Sequence, residues 1–315
     1  METLSRRFFL KNAAIFSVPL AGFSWTRNIF ASAARLQFPT QPRERLAVSS
    51  WPFRALIDSP ANPDRDHKQP GMDLKDFPAM VEGKFNLRKI EPIGDHFRST
   101  DLTYVQEFRQ AMQKVGVTII NIPVTVGASL YDLKSSQRRK GVENARKWVD
   151  IAVTLGSPSI QVNIQPLKSL SPDVERTAES LRSIVNYAAP KDVIVNLEND
   201  NLVSEDAFFL VKVIERLNHP YLRALPDFCN SMLNGNERFN DEAVSAMFKH
   251  AYNISHVKDS EVGPGGRLFK VDIRKMFAIA KACGYRGYFS MEWEGEGQPF
   301  EGTRRLIEES LQCLN

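Results

Sequence analysis

Four side chains able to ligate a metal stand one structural unit apart in the second half of the sequence. Glu198, Asp227, His256 and Glu292 are separated by 29, 29 and 36 residues. Each lies at or near the end of a short β-rich run, in Val193-Ile194-Val195-Asn196-Leu197-Glu198, Leu222-Arg223-Ala224-Leu225-Pro226-Asp227, Ile254-Ser255-His256 and Tyr288-Phe289-Ser290-Met291-Glu292. A lone acid at a strand end commonly caps a helix or pairs in a loop. Four suitable groups on four successive strands, all at the same end, instead point to one shared site. Three carboxylates and one imidazole suit a divalent ion of intermediate hardness. Mn²⁺ fits best, and Mg²⁺, Co²⁺ and Zn²⁺ are compatible. Three anionic ligands on one dication leave a net negative site, which favours a neutral polyol or keto-sugar over a phosphate ester.

The elements that must position these groups follow from the hydrophobic pattern. Strands are expected at Leu46–Ser50, Arg88–Pro92, Val117–Ile122, Ser159–Ile164, Asp192–Glu198, Leu222–Asp227, Asn253–Lys258 and Gly287–Glu292. Helix-length amphipathic stretches alternate with them. Val142, Ala145, Trp148, Val149, Ala152 and Leu155 recur at helical spacing, and Gly156 stands where a C-cap belongs. Ala207, Leu210, Val211, Ile214 and Leu217 repeat the pattern, with Ser204 as the expected N-cap. Ile273, Met276, Phe277 and Ala280 do so again before Gly284. Eight alternating units in a chain of this size predict a single-domain α/β fold, a (β/α)₈ barrel. An open doubly wound sheet is the competing architecture. It usually carries a glycine-rich first turn, which Ser49-Ser50-Trp51-Pro52-Phe53 is not. Ser59–Asp76, rich in Pro, Asp and Lys, is expected to be a long loop and a candidate lid.

Barrel active sites lie at the C-terminal ends of the strands. That rule adds a second set of candidates. Glu91 ends the second strand and His96 follows it. Asn163 and Gln165 flank the end of the fourth. Asn230 follows Asp227, and Lys258 follows His256, placed either to polarise a substrate oxygen or to pair in solvent with Asp259. Trp51, Phe53 and Trp293 are aromatic candidates for a sugar face, with core packing the better role for at least one. Arg267 closes the loop Gly263-Pro264-Gly265-Gly266-Arg267, which lacks the lysine and helix entry of a phosphate loop and reads as a turn. Glu294 and Glu296 read as solvated loop charges, His219 as a turn residue and His250 as the end of a surface helix.

With these residues in view, the chain resembles the xylose isomerase-like barrels, a superfamily of ketose 3-epimerases, inosose dehydratases, hydroxypyruvate isomerases and endonuclease IV. The likeness covers most of the chain and is densest from Leu197 to Gly295. Leu197-Glu198-Asn199, Asp227-Phe228-Cys229-Asn230, His256-Val257-Lys258-Asp259 and Gly284-Tyr285-Arg286-Gly287 with Glu292 carry it. The resemblance implies one metal held by Glu198, Asp227, His256 and Glu292, with Glu198 and Glu292 also the acid/base pair. Such chemistry is sound on its own terms. An ion chelating a carbonyl and the adjacent hydroxyl oxygen acidifies the C–H between them by stabilising an enediolate, and two carboxylates remove and return the proton. The chain departs from the endonuclease. Asn230 stands three residues after Asp227, the third strand ends in Asn121-Ile122-Pro123, and no His-x-His marks the seventh. The Lys-Pro-x-Glu-Pro pattern of true xylose isomerases is also missing.

The first 33 residues read as a twin-arginine signal peptide. Ser5-Arg6-Arg7-Phe8-Phe9-Leu10-Lys11 opens it, a mildly apolar stretch from Ala13 to Trp25 follows, and Ala31-Ser32-Ala33 offers a cleavage site. The apolar stretch is too short for a membrane span. Arg6, Arg7, Lys11 and Arg27 against Glu2 make up three of the four positive charges in the chain's formal +4. Residues 34–315, the expected barrel domain, are therefore near neutral, and nothing in this balance suggests a nucleic-acid surface. Cys229, Cys283 and Cys313 are odd in number and far apart, and predict no disulfide framework. The expectation is an exported, periplasmic, divalent-metal-dependent sugar isomerase or epimerase. Its partners are a small carbohydrate and the twin-arginine export machinery, with no nucleic acid and no stable membrane insertion, and with room for a homo-oligomer. A metal-dependent lyase or hydratase acting on keto-sugars or 3-keto-glycosides is the alternative enzyme. A non-catalytic sugar-binding barrel is the alternative of another class.

Overall fold

A computed structural model describes residues 36–295 and 297–315. The expected leader and Glu296 lie outside the described residues. The strands are β1 (Leu46–Ser49), β2 (Lys89–Glu91), β3 (Thr118–Ile119), β4 (Pro123–Val124), β5 (Ser159–Val162), β6 (Ile194–Glu198), β7 (Leu222–Leu225), β8 (Ile254–Val257), β9 (Ser260–Val262), β10 (Leu268–Lys270) and β11 (Tyr288–Met291). One parallel sheet runs β3-β2-β1-β11-β8, and a second runs β4-β5-β6-β7. The isolated bridges Ala224↔Ala251 and Asp227↔His256 join β7 to β8.

Pairing of the first barrel strand with the last, Val48 opposite Met291, decides between the two expected architectures. An open doubly wound sheet leaves its edge strands apart, whereas here the sheet closes on itself as a barrel. All residues of β1, β5, β6 and β8 are buried. Strands covered by helices outside and packed side chains inside need no polar alternation. The expected third strand, Val117–Ile122, is split into β3 and β4. Ile120 N–H still donates to Ile90 on one side, while the Ile122 carbonyl already accepts from Gln161 on the other. The chain changes neighbours there, and Pro123 has no N–H to continue the ladder.

The outer layer is α1 (Phe77–Phe85), α2 (Leu102–Val115), α3 (Ser135–Leu155), α4 (Val174–Ala188), α5 (Ala207–Leu217), α6 (Glu237–Phe248), α7 (Ile273–Ala282) and α8 (Pro299–Leu314). Gly156 closes α3 at φ 76°. The N-cap of α5 is Asp206 rather than Ser204, its carboxylate accepting from Phe209 N–H at 3.0 Å. The Ser204 hydroxyl is taken by the Ile164 carbonyl. No helix among the described residues is long and apolar enough to cross a membrane, and the three cysteines are unpaired.

Two loop features matter for the site. Ser59–Asp76 is stapled at several points. Ile57 bridges Met72, Met72 N–H donates to Leu56 O at 2.7 Å, and Arg65 holds Asp58 at 2.6 Å and the Ala55 carbonyl at 3.0 Å. The antiparallel hairpin β9–β10 follows β8 outside the barrel, with Pro264–Gly266 in its turn.

Candidate metal centre

The site is built where β6, β7, β8 and β11 end. Glu198 is the last residue of β6, Asp227 follows β7 by two residues, His256 is the third residue of β8, and Glu292 follows β11. All four side chains are buried, and one ligand atom from each lies within 4.8 Å of the others. His256 Nδ1 is 2.7 Å from Glu198 Oε1 and 3.2 Å from Glu292 Oε2. Asp227 Oδ1 accepts from the N–H groups of Cys229 and Asn230 at 2.8 and 2.6 Å. Asp227 Oδ2 is buried with no hydrogen-bond partner among the described residues. A buried, unpartnered carboxylate oxygen is costly unless a cation takes it. Beside two carboxylates and an imidazole, it marks a donor set that fits a divalent ion.

The surroundings shape this cluster. Asn199 clamps the Asp227 backbone, accepting its N–H at 2.8 Å and donating to its carbonyl at 3.2 Å. Gln161 donates to Glu198 Oε2 at 2.5 Å. The Lys258 ammonium is buried, donating to Asn230 Oδ1 and to Glu261 Oε2 at 2.9 Å each, and sits 3.4 Å from Glu292. Burial pushes the Glu198 carboxyl up to about 8, against the pull of His256, and raises Asp227 to about 6. Burial works to raise Glu292 as well, but His256 and Lys258 overcome it and hold that carboxyl down to about 2. Burial opposes a charged His256, yet Glu198, Glu292 and Glu91 around it raise the imidazole well above its ordinary value. Two neighbouring carboxyls driven apart in this way can hold and accept a proton respectively.

A cavity of about 210 Å³ opens on the cluster, with Trp51, Asn163, Lys258 and Glu261 on its walls. Asp95, Asp200 and Glu294 add negative charge around it. A larger cavity of about 600 Å³ lies at the opposite end, where β1, β2 and β3 begin, lined by Arg43, Arg88 and Lys89. No cluster of possible metal ligands faces it among the described residues. Size alone therefore does not mark the site.

The structure corrects several expected roles. Glu91 is fully buried beneath the cluster, 2.9 Å from His256 Nε2, and does not line the cavity. It touches a ligand rather than a substrate. His96 is buried against Ser50, Nδ1 to Oγ 2.7 Å, and is likewise outside the cavity. Arg267 is exposed on the hairpin, stacked 4.6 Å from the Phe269 ring centre. Asn230 is buried between Glu198 and Lys258, so it reaches the site through them. Lys258 pairs with Glu261 rather than Asp259, which is held by Arg305 at 2.8 Å. Phe53 and Trp293 belong to the core, leaving Trp51 as the aromatic wall. Glu294 is not a solvated charge. It accepts from the Trp51 indole N–H and from Arg54 at 2.7 Å, while Arg54 covers the Trp51 ring at 4.2 Å. Gln165 does not line the cavity, but Gln161, two residues before Asn163, does. Period-two spacing back from Asn163 would have found it. Glu261 had no comparable signal, because it reaches the site on the hairpin that returns after β8.

Comparison with known proteins agrees with this architecture. The xylose isomerase-like TIM barrel family matches residues 84–315. No curated protein sequence matches the chain. Among solved structures, a D-allulose 3-epimerase from Methylomonas sp. superposes with a TM-score of 0.66 at 15% identity, over 88% of this chain and 100% of the other. A 3-keto-D-glucoside 4-epimerase from E. coli gives 0.62 at 14%, over 85% and 99%. A xylose isomerase-like TIM barrel protein from Mycobacterium smegmatis, in complex with magnesium, gives 0.63 at 19%, over 88% and 98%. At these identities the likeness is one of fold, while the family match spans most of the sequence and runs through every residue of the buried cluster. The chain belongs to the xylose isomerase-like TIM barrel family.

Proposed function

We propose that this protein is a divalent-metal-dependent sugar isomerase or epimerase, exported by the twin-arginine pathway. The observation that carries the enzymatic reading is the convergence of Glu198, Asp227, His256 and Glu292 around an Asp227 oxygen with no partner. A divalent ion bound there supplies the positive charge that acidifies a C–H beside a carbonyl. The remaining chemistry belongs to the chain. Glu292, held ionised beside Lys258, is the base that accepts the proton. Glu198, the second carboxylate of the cluster, is the group that returns one. Trp51 offers a flat wall for a sugar ring. The cavity, below the roughly 300–1,000 Å³ of drug-sized ligand pockets, suits a small substrate. Its ring of acids disfavours phosphorylated or acidic sugars. The solved epimerases of like fold supply the panel to test, ketoses and 3-keto-glycosides.

With Mn²⁺ present and in D₂O, at least one compound of that panel is expected to gain deuterium at the carbon next to its carbonyl. Glu198→Gln and Glu292→Gln should each slow the exchange by about 10²-fold or more. Metal-bound protein that exchanges none of them would overturn the enzymatic reading. Exchange followed by loss of a β-substituent, seen by product analysis, would replace isomerisation with elimination.

A further inference from the structure

We infer that Glu91 is a positioning residue that sets which nitrogen of His256 is free to bind metal, an inference that rests on the metal-centre reading. Glu91 Oε2 lies 2.9 Å from His256 Nε2, and both side chains are buried. The opposite ring nitrogen, Nδ1, faces Glu198 and Glu292. Glu91 is itself fixed, its Oε1 accepting from Asn121 Nδ2 at 2.8 Å. Asn121 is held in turn by the Ser159 hydroxyl, which donates to its Oδ1 at 2.6 Å. The chain Ser159, Asn121, Glu91, His256 runs across the barrel interior from β5 to β8.

With a cation held by the carboxylates on the Nδ1 side, the donor and acceptor logic leaves one arrangement. An ionised carboxylate only accepts hydrogen bonds, so the proton of a neutral His256 belongs on Nε2. Nδ1 then presents its lone pair to the carboxylate cluster. A carboxylate behind a ligating imidazole fixes the tautomer and ring orientation and raises ligand basicity. Glu91 makes no contact with the cavity, so its influence on substrate can only pass through His256.

Glu91→Gln breaks this logic without changing size. If the amide oxygen stays toward Asn121, the NH₂ group faces Nε2 and drives the proton to Nδ1, where it competes with metal. If the amide turns over, two NH₂ groups oppose each other. The test is Mn²⁺ binding to chelator-stripped protein by calorimetry, joined to ¹⁵N-histidine NMR of the Zn²⁺-loaded protein. Wild type should show a slowly exchanging Nε2–H on His256, and Glu91→Gln should bind Mn²⁺ about 10–100-fold more weakly. Glu91→Asp keeps the charge but withdraws the oxygens, and should weaken binding in the same direction. It carries the test if the glutamine variant does not fold. A folded variant that binds Mn²⁺ within about twofold of wild type, or a proton on Nδ1 in the Zn²⁺-loaded wild type, would overturn the inference. Wild-type protein that binds no Mn²⁺ would instead remove the metal centre, and this inference with it.

Discussion

His96 and His256 are both buried, yet their neighbours set opposite protonation. His256 is ringed by three carboxylates and held charged-competent, whereas the His96 ring, among the described residues, hydrogen-bonds the Ser50 hydroxyl. Burial, aided by the charge on Arg54, drives His96 down to about 3. In the unfolded chain a histidine titrates near 6.5, so below that pH the unfolded state takes up a proton that the folded state refuses. Stability is therefore fully present above about 6.5 and falls as the pH drops toward about 3, by up to roughly 1.4 kcal/mol per pH unit from this group. Urea unfolding in the presence of chelator between pH 6.5 and 4.5 should show a slope that includes this contribution, opposed by that of the Glu198 carboxyl, which folding raises. His96→Gln should flatten it by the same amount, whatever its effect at neutral pH. An unchanged slope would mean that His96 is already protonated in the fold. The four clustered ligands were legible in the sequence because each ends a strand, and strand ends of a barrel converge. The roles of Glu91 and His96 were not. Proximity to a strand end says nothing of whether a side chain points to the cavity or beneath it. Glu294 was misread for a related reason: a charged loop residue looks solvated until a partner such as Arg54, 240 positions away in sequence, is brought beside it.

At the level of elements, α8 shows how a helix outside the barrel governs a group inside its mouth. Gly302 sits in the first turns of α8 against the Trp293 indole, where an added Cβ would meet ring atoms at 2.3–2.4 Å. Trp293 is the next residue after Glu292. Gly302→Ala gains about 0.5–1 kcal/mol of helix preference. Overpacking against a buried ring typically costs about 1–3 kcal/mol and cannot be relieved by a flexible side chain here. The net expectation is destabilisation, read as a drop in melting temperature of about 2–4 °C for each kcal/mol lost. Displacement of Trp293 should also weaken Mn²⁺ binding through Glu292. A melting temperature at or above wild type would show that α8 shifts freely on the barrel. The eight strand positions and three of the helices, α3, α5 and α7, could be read from sequence, because apolar runs and helical spacing report burial directly. The hairpin β9–β10 could not. Its strands are three residues each, and Val262 and Leu268, paired across it, are exposed, so no burial pattern separates it from a turn. Its consequence is chemical, since Glu261 on β9 is what anchors Lys258 beside Glu292.

For the whole molecule, the proposed metal site and the proposed export signal fit one chain if the barrel folds before it leaves. The twin-arginine route accepts folded cargo, so a protein using it can close its barrel around an ion before leaving the cytoplasm. From Leu36 onward the chain is already part of the fold: Leu36 N–H donates to the Tyr252 hydroxyl at 3.1 Å, and Phe38 packs edge-on against Tyr252 and Tyr288 at 5.4 and 5.7 Å. Those contacts lie near the starts of β8 and β11, the end of the barrel away from Glu198 and Glu292. Removing residues 1–33 would take away three of the chain's four net positive charges. Arginine's planar fork is not replaced by a lysine ammonium at a site that reads it. Changing Arg6 and Arg7 together to lysine should therefore trap the full-length precursor in the cytoplasm, folded and binding Mn²⁺ as the wild type does. Wild-type protein should appear in the periplasm with its N-terminus near Ala34. Fractionation with N-terminal sequencing checks both, and periplasmic accumulation of the double-lysine protein would show that the leader is read by another route.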